Sequence, residues 1–333
     1  MLQEALVAMF KWYQSSALTL VLLCGVPSSS KRGDLIKSIW NTCAWTFQEY
    51  HASKVVRFYN EDWTLYLNLN IPNHKESPEI ISEMEKASGI SAQALMALQP
   101  ALDDIWEKLC LASTQWMTFI KDSAYSLLGI FSISLPVIYS EGDQALRRLL
   151  AQLLMSSGDT SILAWTGKSG SFNSCLPSSI MVFSKSVTSH VLLPITGTNM
   201  ETMVARLHAS SLNLTSAMKL YDQLHGLSVP SFSGKQMKLL CLTFKLGPVS
   251  ATRSVLERAF PTKMDGLGIV EITTMEDLSQ LDSLILVHPW IDFLLDQQPV
   301  GSFTKMISEE PLSECLLQSV SCCRPLVHLT LRQ

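Results

Sequence analysis

Charge is scarce in this sequence. Asp, Glu, Lys and Arg make up 16% of its 333 residues, and the formal net charge is -4, with no long basic run. The electrostatic footprint of a nucleic-acid binder is therefore missing, and no nucleic-acid partner is expected. No Walker loop, no G-x-G-x-x-G and no G-x-S-x-G occurs, so the usual sequence marks of nucleotide binding and of a nucleophile elbow are absent too. Cys24, Cys43, Cys110, Cys175, Cys241, Cys315, Cys322 and Cys323 fall without metal-ligand spacing, and the last two are neighbours rather than a C-x-x-C. Scattered cysteines in a chain of this size read as buried free thiols in a reducing, cytoplasmic setting, and no metal site is expected. A long hydrophobic run is lacking as well. Residues 17–26, "ALTLVLLCGV", are ten in number, where a bilayer span needs about 20. The run could imitate a signal-peptide core, but Glu4 and an amphipathic pattern stand where a basic leader belongs. A buried strand is the expectation, and no membrane span follows.

What the chain has is core-forming material. Hydrophobic residues reach 47%, the mark of a globular chain with exposed apolar surface left for a partner or for further sequence. The length suits about two domains. Leu2, Leu6, Met9, Phe10 and Tyr13 recur at helical spacing, and the strand at 17–26 ends at Pro27-Ser28-Ser29-Ser30. A helix pattern covers 33–40, and Asn41-Thr42 could cap a further helix over 45–51. "KVVRFYN" is then a strand by its β-branched and aromatic content. This order predicts an α/β unit with a parallel sheet. "NIPNHKESPEI" reads as a loop, 77–110 as helical with Ser77 and Pro78 at a helix start, "DSAYSLLGIF" as a helix, and "EGDQALRRLLAQLLM" as a helix with Leu146, Leu149, Leu150 and Leu153 on one face.

The composition changes after Ser156-Ser157-Gly158. From there short β-like runs dominate: "SILAWTG", "IMVFSK", "HVLLPITG", "MKLLCLTFKLG" and "GIVEITT", with one helix pattern at 200–225. The domains expected are 1–152, a β-rich α+β module at 153–300, and an unplaced tail at 301–333. His288-Pro289-Trp290 reads as packing or turn, "TGKSG" at 166–170 as a polar turn, and the sequon at Asn213 matters only in a secreted chain.

Two segments carry more than local structure. "IWNTCAWTFQEYHASKVVRFYNEDW" and "TFIKDSAYSLLGIFSISLPVIYSEGDQALRRL", in this order, resemble the fungal heterokaryon-incompatibility domain. That family carries W-T-x-Q-E-L, a strand, D-W, and later E-D-x-A-Y-S-L-x-G-x-F-x-x-x-x-P-x-x-Y-G-E-G-x-x-A-x-x-R-L. Trp45, Thr46, Gln48, Glu49, Asp62 and Trp63 match the first elements. Asp122, Ala124, Tyr125, Ser126, Leu127, Gly129, Phe131, Pro136, Tyr139, Glu141, Gly142, Ala145 and Leu149 match the block. The departures are Cys43-Ala44 for Arg-Gly, Ile120-Lys121 for Val-Glu, and Ser140 for Gly. The family's L-S-Y-x-W-G strand and C-I-N-Q segment have no counterpart, so the expectation is a partial domain with an open sheet edge.

The resemblance implies non-self recognition and programmed cell-death signalling through protein contacts, with family members as partners through that edge. It also implies a layered fold similar to Toll/interleukin-receptor domains, several of which cleave NAD with a glutamate from a W-C-x-x-E-L helix. By that analogy Glu49 is the catalytic candidate, Trp45 lines the same pocket, and NAD is a substrate rather than a resident cofactor. Nicotinamide leaves as a neutral group, so the reaction needs a carboxylate to position the ribose and stabilise its cation rather than a general acid. Trp45 and Glu49, at i and i+4, share a helix face. The plainer role is that Glu49 accepts hydrogen bonds from backbone or Arg57 and fixes its helix to the sheet. A third reading is an inactive regulatory fragment. Glu141 is expected to favour the positive end of the helix that follows it.

Overall fold

The computed structural model describes residues 2–43, 45–88, 92, 102, 105–113, 122–138, 140–142, 144–163, 165, 170, 175–184, 214–227, 229–233, 236–245, 258–264, 268–274, 283–286, 300–305, 317–322 and 326–330. The chain packs as two units, one holding residues 1–149 and 179–185, the other 150–178 and 186–333.

In the first unit, helix α1 (Leu2–Ser15) leads into strand β1 (Thr19–Leu23). A short helix α2 (Asp34–Lys37), a 3-10 turn (Trp40–Thr42) and helix α3 (Trp45–Ala52) then carry the chain back to strand β2 (Val56–Asn60). The two strands pair in parallel, from Thr19 opposite Val56 to Leu23 opposite Asn60. Parallel neighbours require such a helical crossover, and the α/β order read from sequence is realised here. Val21, Leu23, Val56 and Phe58 occupy one face of the sheet. They pack with Val26, Leu35, Tyr50, Tyr66, Ile80 and Met84 into a closed core.

Helix α4 (Pro78–Ser88) starts as its residues dictate. Pro78 takes the first position, where a missing N–H costs nothing, and the Ser77 hydroxyl lies 3.5 Å from the Ile80 amide. Helix α5 (Ile105–Ser113) packs on a 3-10 turn at Ile180–Ser184, with Trp106 edge-on to Phe183 at 5.1 Å. The helix expected over "DSAYSLLGIF" is only one turn long, α6 (Asp122–Tyr125). Beyond it the backbone bonds irregularly, with Leu128 N–H to Tyr125 and Ile133 N–H back to Leu128. Helix α7 (Gln144–Ser157) forms as read, and Leu146, Leu149, Leu150 and Leu153 are wholly buried along one stripe.

Two runs expected to be strands form 3-10 turns instead: Thr160–Leu163, in the second unit, takes in the start of "SILAWTG", and Ile180–Ser184, in the first unit, lies within "IMVFSK". Polar side chains open both. Asp159 accepts from the Ser161 amide and Ser179 from the Met181 amide, local bonds that outcompete a strand ladder. Helix α8 (Leu214–His225) packs on strand β4 (Gln236–Lys245). That strand joins β3 (Ser231–Ser233), β5 (Arg258–Met264), β6 (Gly268–Thr274), β7 (Ser283–Leu286), β8 (Val300–Lys305), β9 (Leu317–Cys322) and β10 (Leu326–Thr330) in an eight-stranded antiparallel sheet. The order is β3-β4-β7-β8-β10-β6-β5, with β9 also paired to β4. The tail at 301–333, unplaced from sequence, thus holds most of β8 and all of β9 and β10. "HVLLPITG", His288-Pro289-Trp290, Asn213 and all of "TGKSG" but Gly170 lie outside the described residues. Cys24, Cys43, Cys110, Cys175 and Cys241 form no disulfide among the described residues, and the last two are buried. No helix among the described residues is long and apolar enough to cross a membrane.

Candidate functional site

Helix α3 carries the candidate residues, and side chains define both its ends. At the start, the Thr46 hydroxyl donates to the Cys43 carbonyl at 2.6 Å. At the end, the Lys75 ammonium donates to the carbonyls of Tyr50 (3.0 Å) and Ser53 (2.9 Å), closing the negative pole of the helix. Tyr50 faces the sheet core, while Gln48 is fully buried.

Glu49 is half-buried, and two donors converge on it. The Trp40 indole N–H reaches Oε2 at 3.0 Å, and the Tyr13 hydroxyl donates to the same carboxylate. The Tyr13 phenol is pushed up to about 12, first by burial and then by the Glu49 charge and hydrogen bond. Trp40 is itself braced edge-on against Phe58 at 5.2 Å and Tyr50 at 6.4 Å. The carboxylate is therefore held by α1 and the Trp40 turn. Arg57, the partner expected from sequence, instead lies over the Tyr59 ring at 5.9 Å, with Nε buried and unpartnered among the described residues. Trp45 is half-buried one turn before Glu49. A carboxylate has about four acceptor positions, so two donors fix Glu49 and still leave capacity for a ligand hydroxyl.

The neighbouring Gln48 joins the two sequence segments. Its amide Nε2 donates to the Ser126 carbonyl, 78 positions away. Gly129, on the same turn, lies so close that a Cβ there would stand 2.3 Å from Phe10 Cβ and 2.8 Å from Gln48 Oε1. Only glycine permits this approach.

The rest of the long block forms a clamp. The buried Tyr125 hydroxyl donates to Glu141 and accepts the Ile138 amide at 2.8 Å. Burial and the Glu141 hydrogen bond raise the Tyr125 phenol above its ordinary range. Arg148 grips both Glu141 oxygens at 2.7 and 2.9 Å and reaches the Pro136 carbonyl at 2.8 Å. Glu141 thus serves Arg148 and Tyr125 rather than the helix end alone, because the α7 side chain one turn in is a fork-shaped cation. Asp62 turns the chain after β2 by accepting the Thr64 amide (3.2 Å) and hydroxyl (2.6 Å), and the Thr64 hydroxyl holds its carboxyl below the usual range. Trp63, at φ 64, is exposed beside Tyr59. Tyr139 lies outside the described residues.

Sequence reading missed Tyr13, Trp40, Lys75 and Arg148. An arginine one turn into the helix that follows Glu141, i+7 from it, was the legible signal for the last. Nothing local marks Tyr13, whose partner lies across a strand and two helices. Among the described residues no group of three or more His, Cys, Asp or Glu could hold a metal ion.

No protein-family model matches the chain, and no solved structure matches it. The chain is similar to "Vegetative incompatibility protein HET-E-1" of Podospora anserina, at 30% identity over 166 residues. That alignment takes in 47% of this chain and 12% of the relative, so the chain spans only a small part of that protein's length.

Proposed function

We propose that this chain acts in fungal vegetative incompatibility, as a non-self recognition component that signals programmed cell death through protein contacts in the cytoplasm. On this reading residues 1–152 are part of a heterokaryon-incompatibility domain, layered like a Toll/interleukin-receptor domain, and 153–300 form an accessory module. The observation that carries it is the Gln48–Ser126 bond, which brings the two motif segments together around Gly129. The similarity to a vegetative incompatibility protein supports the same reading. The expected partners are proteins with the same domain, meeting the edge of β1, where Leu20 is half exposed and its backbone has no partner among the described residues. The test is expression in fused fungal cells of opposed incompatibility type, scored by vital-dye uptake. Dye uptake that depends on the chain and is lost with Gly129→Glu is expected; uptake that is the same with and without the chain ends the proposal.

A second reading, NAD glycohydrolase, is favoured by the two donors that hold Glu49 one turn from Trp45. The bond between ribose and nicotinamide would break with its electron pair leaving on the ring nitrogen, water would capture the ribosyl cation, and the proton would pass to solvent. Glu49 would position the ribose hydroxyls. Purified chain should then consume NAD, and Glu49→Ala should not. Equal turnover by both proteins would rule the enzyme out.

A further inference from the structure

The outer edge of β2 is closed by side chains, and one of them titrates. The amides of Val56, Phe58 and Asn60 point away from β1. Val56 N–H donates to Asn73 Oδ1 at 3.1 Å, Phe58 N–H to His74 Nδ1 at 3.0 Å, and Asn60 N–H to the Thr64 carbonyl at 2.8 Å. Unpaired strand edges invite pairing with other chains, and here a short turn covers the edge without adding a strand.

We infer that His74 is a pH-sensitive latch on this edge: taking up a proton converts its Nδ1 from acceptor to donor, expels the Phe58 amide and frees the 73–76 turn from β2. The geometry leaves one neutral form. His74 Nε2 lies 2.9 Å from the Leu69 carbonyl and must donate to it, so Nδ1 carries the lone pair that Phe58 uses. A second proton places two donors face to face. The ring is fully buried and stacked on Phe58 at 6.2 Å, so it cannot turn outward to escape.

The charged groups around it are accounted for. Burial lowers the imidazole, the Leu69 carbonyl works the other way, and Arg57 on β2 adds to the lowering. On the same turn, Lys75 is committed to the α3 carbonyls and Glu76 accepts from Asn73 at 3.0 Å. On α4, which packs against this turn, Glu79 accepts from Ser77 and Glu83 from Tyr66. The latch therefore holds at neutrality and opens on the acid side of the ordinary imidazole range, presenting the Val56 and Phe58 donors to an incoming strand.

The test is amide hydrogen exchange on the full chain by NMR, corrected for intrinsic rates, alongside the titration of the His74 ring nitrogens. As His74 takes its proton, Phe58 and Val56 should lose about tenfold in protection, the order expected for one lost hydrogen bond, while Asn60 keeps its own. His74→Gln, which preserves a donor and an acceptor without titrating, should abolish the change. Protection at Phe58 that ignores His74 protonation overturns the proposal. So does loss at Asn60 in step with Phe58, or a His74 that stays neutral until the chain unfolds. The wild-type measurements decide the matter even where the variant fails to fold.

Discussion

The Gln48 side-chain amide donates to the main-chain carbonyl of Ser126, and the glycine three residues further on lies beneath it. Two segments that stand out in the sequence are thus one structural feature. One supplies a buried amide, the other a carbonyl and a bare backbone, and α1 closes the third side through Phe10. The motif reads as chemistry when listed along the chain, but much of it is joinery that holds α3, α1 and the 126–131 turn together. Glu49 stands at the edge of that joint.

Gly129→Ala should be strongly destabilising. The new methyl would meet Phe10 Cβ at 2.3 Å, an atom fixed to its helix backbone, so α1 must shift. Overpacking of this kind costs about 1–3 kcal/mol. Urea denaturation should show a lower midpoint with an unchanged slope. A paired Phe10→Ala change, which removes little more than the ring, should not rescue it, because the clashing atom remains.

The Glu49 anchors predict a graded response. Trp40→Phe removes the indole N–H and keeps the edge contacts with Phe58 and Tyr50. Tyr13→Phe removes the second donor. Each loss should cost about 1 kcal/mol, and the double variant should fall short of their sum, since both act on one carboxylate. Tyr13 also sets an alkaline limit. Its folded phenol holds its proton up to about 12 against an ordinary value of 10.0, so stability present below 10 is lost as pH rises towards 12. In Tyr13→Phe the decline over that window should be shallower, as read by denaturation at stepped pH.

The leucine stripe of α7 was legible because it rests on periodicity within one element, and the parallel pairing of β1 with β2 because strands separated by helices imply a crossover. The Gln48–Ser126 bond was not, since it depends on two distant segments meeting. "SILAWTG" misled because Ile, Leu and Trp favour strands, whereas Asp159 and Ser157 decide the local backbone by binding the Ser161 and Asp159 amides. Strands β8, β9 and β10 gave no sign in sequence because their partners lie far away, β9 against β4 for instance. For the site, the Glu49 position was legible and its partners were not. The Asn73-His74-Lys75 run looked like loop because the bonds that give it a role, to the Val56 and Phe58 amides and to the Tyr50 and Ser53 carbonyls, reach segments distant in sequence.

Arg148→Met should cost about 3 kcal/mol, towards the lower end for a broken buried ion pair. The Glu141 side chain is 8% exposed and would keep its charge with only Tyr125 to face it, while the Arg148 side chain at 20% lets some water in. Adding Glu141→Gln should recover most of the loss, because the uncompensated carboxylate goes with it. Chemical denaturation of the two single variants and the double variant completes the cycle. A double variant as unstable as Arg148→Met would mean that the Pro136 contact, not the ion pair, carries the energy.

In the second unit, His225 sets an acid limit. Its Nε2 lies 3.0 Å from the Thr160 hydroxyl, and its ring stacks on the buried Tyr221 at 5.3 Å. Burial pulls its pKa from 6.5 down to about 4. Once the chain unfolds, the imidazole takes a proton near 6.5, whereas the folded one resists until about 4. Over that window the unfolded state binds more protons, so acid favours unfolding. The stabilisation is complete above 6.5 and drains away as pH falls to about 4, on the order of 3 kcal/mol in all. His225→Phe keeps the stack and removes the titrating group. It should lose some stability at neutrality through the missing Thr160 bond, yet its unfolding free energy should fall less steeply between pH 6.5 and about 4 than that of the parent. His74 titrates on the acid side as well and is untouched by this change, so a residual slope is expected. Parallel slopes in the two proteins would show that His225 takes its proton without opposing the fold.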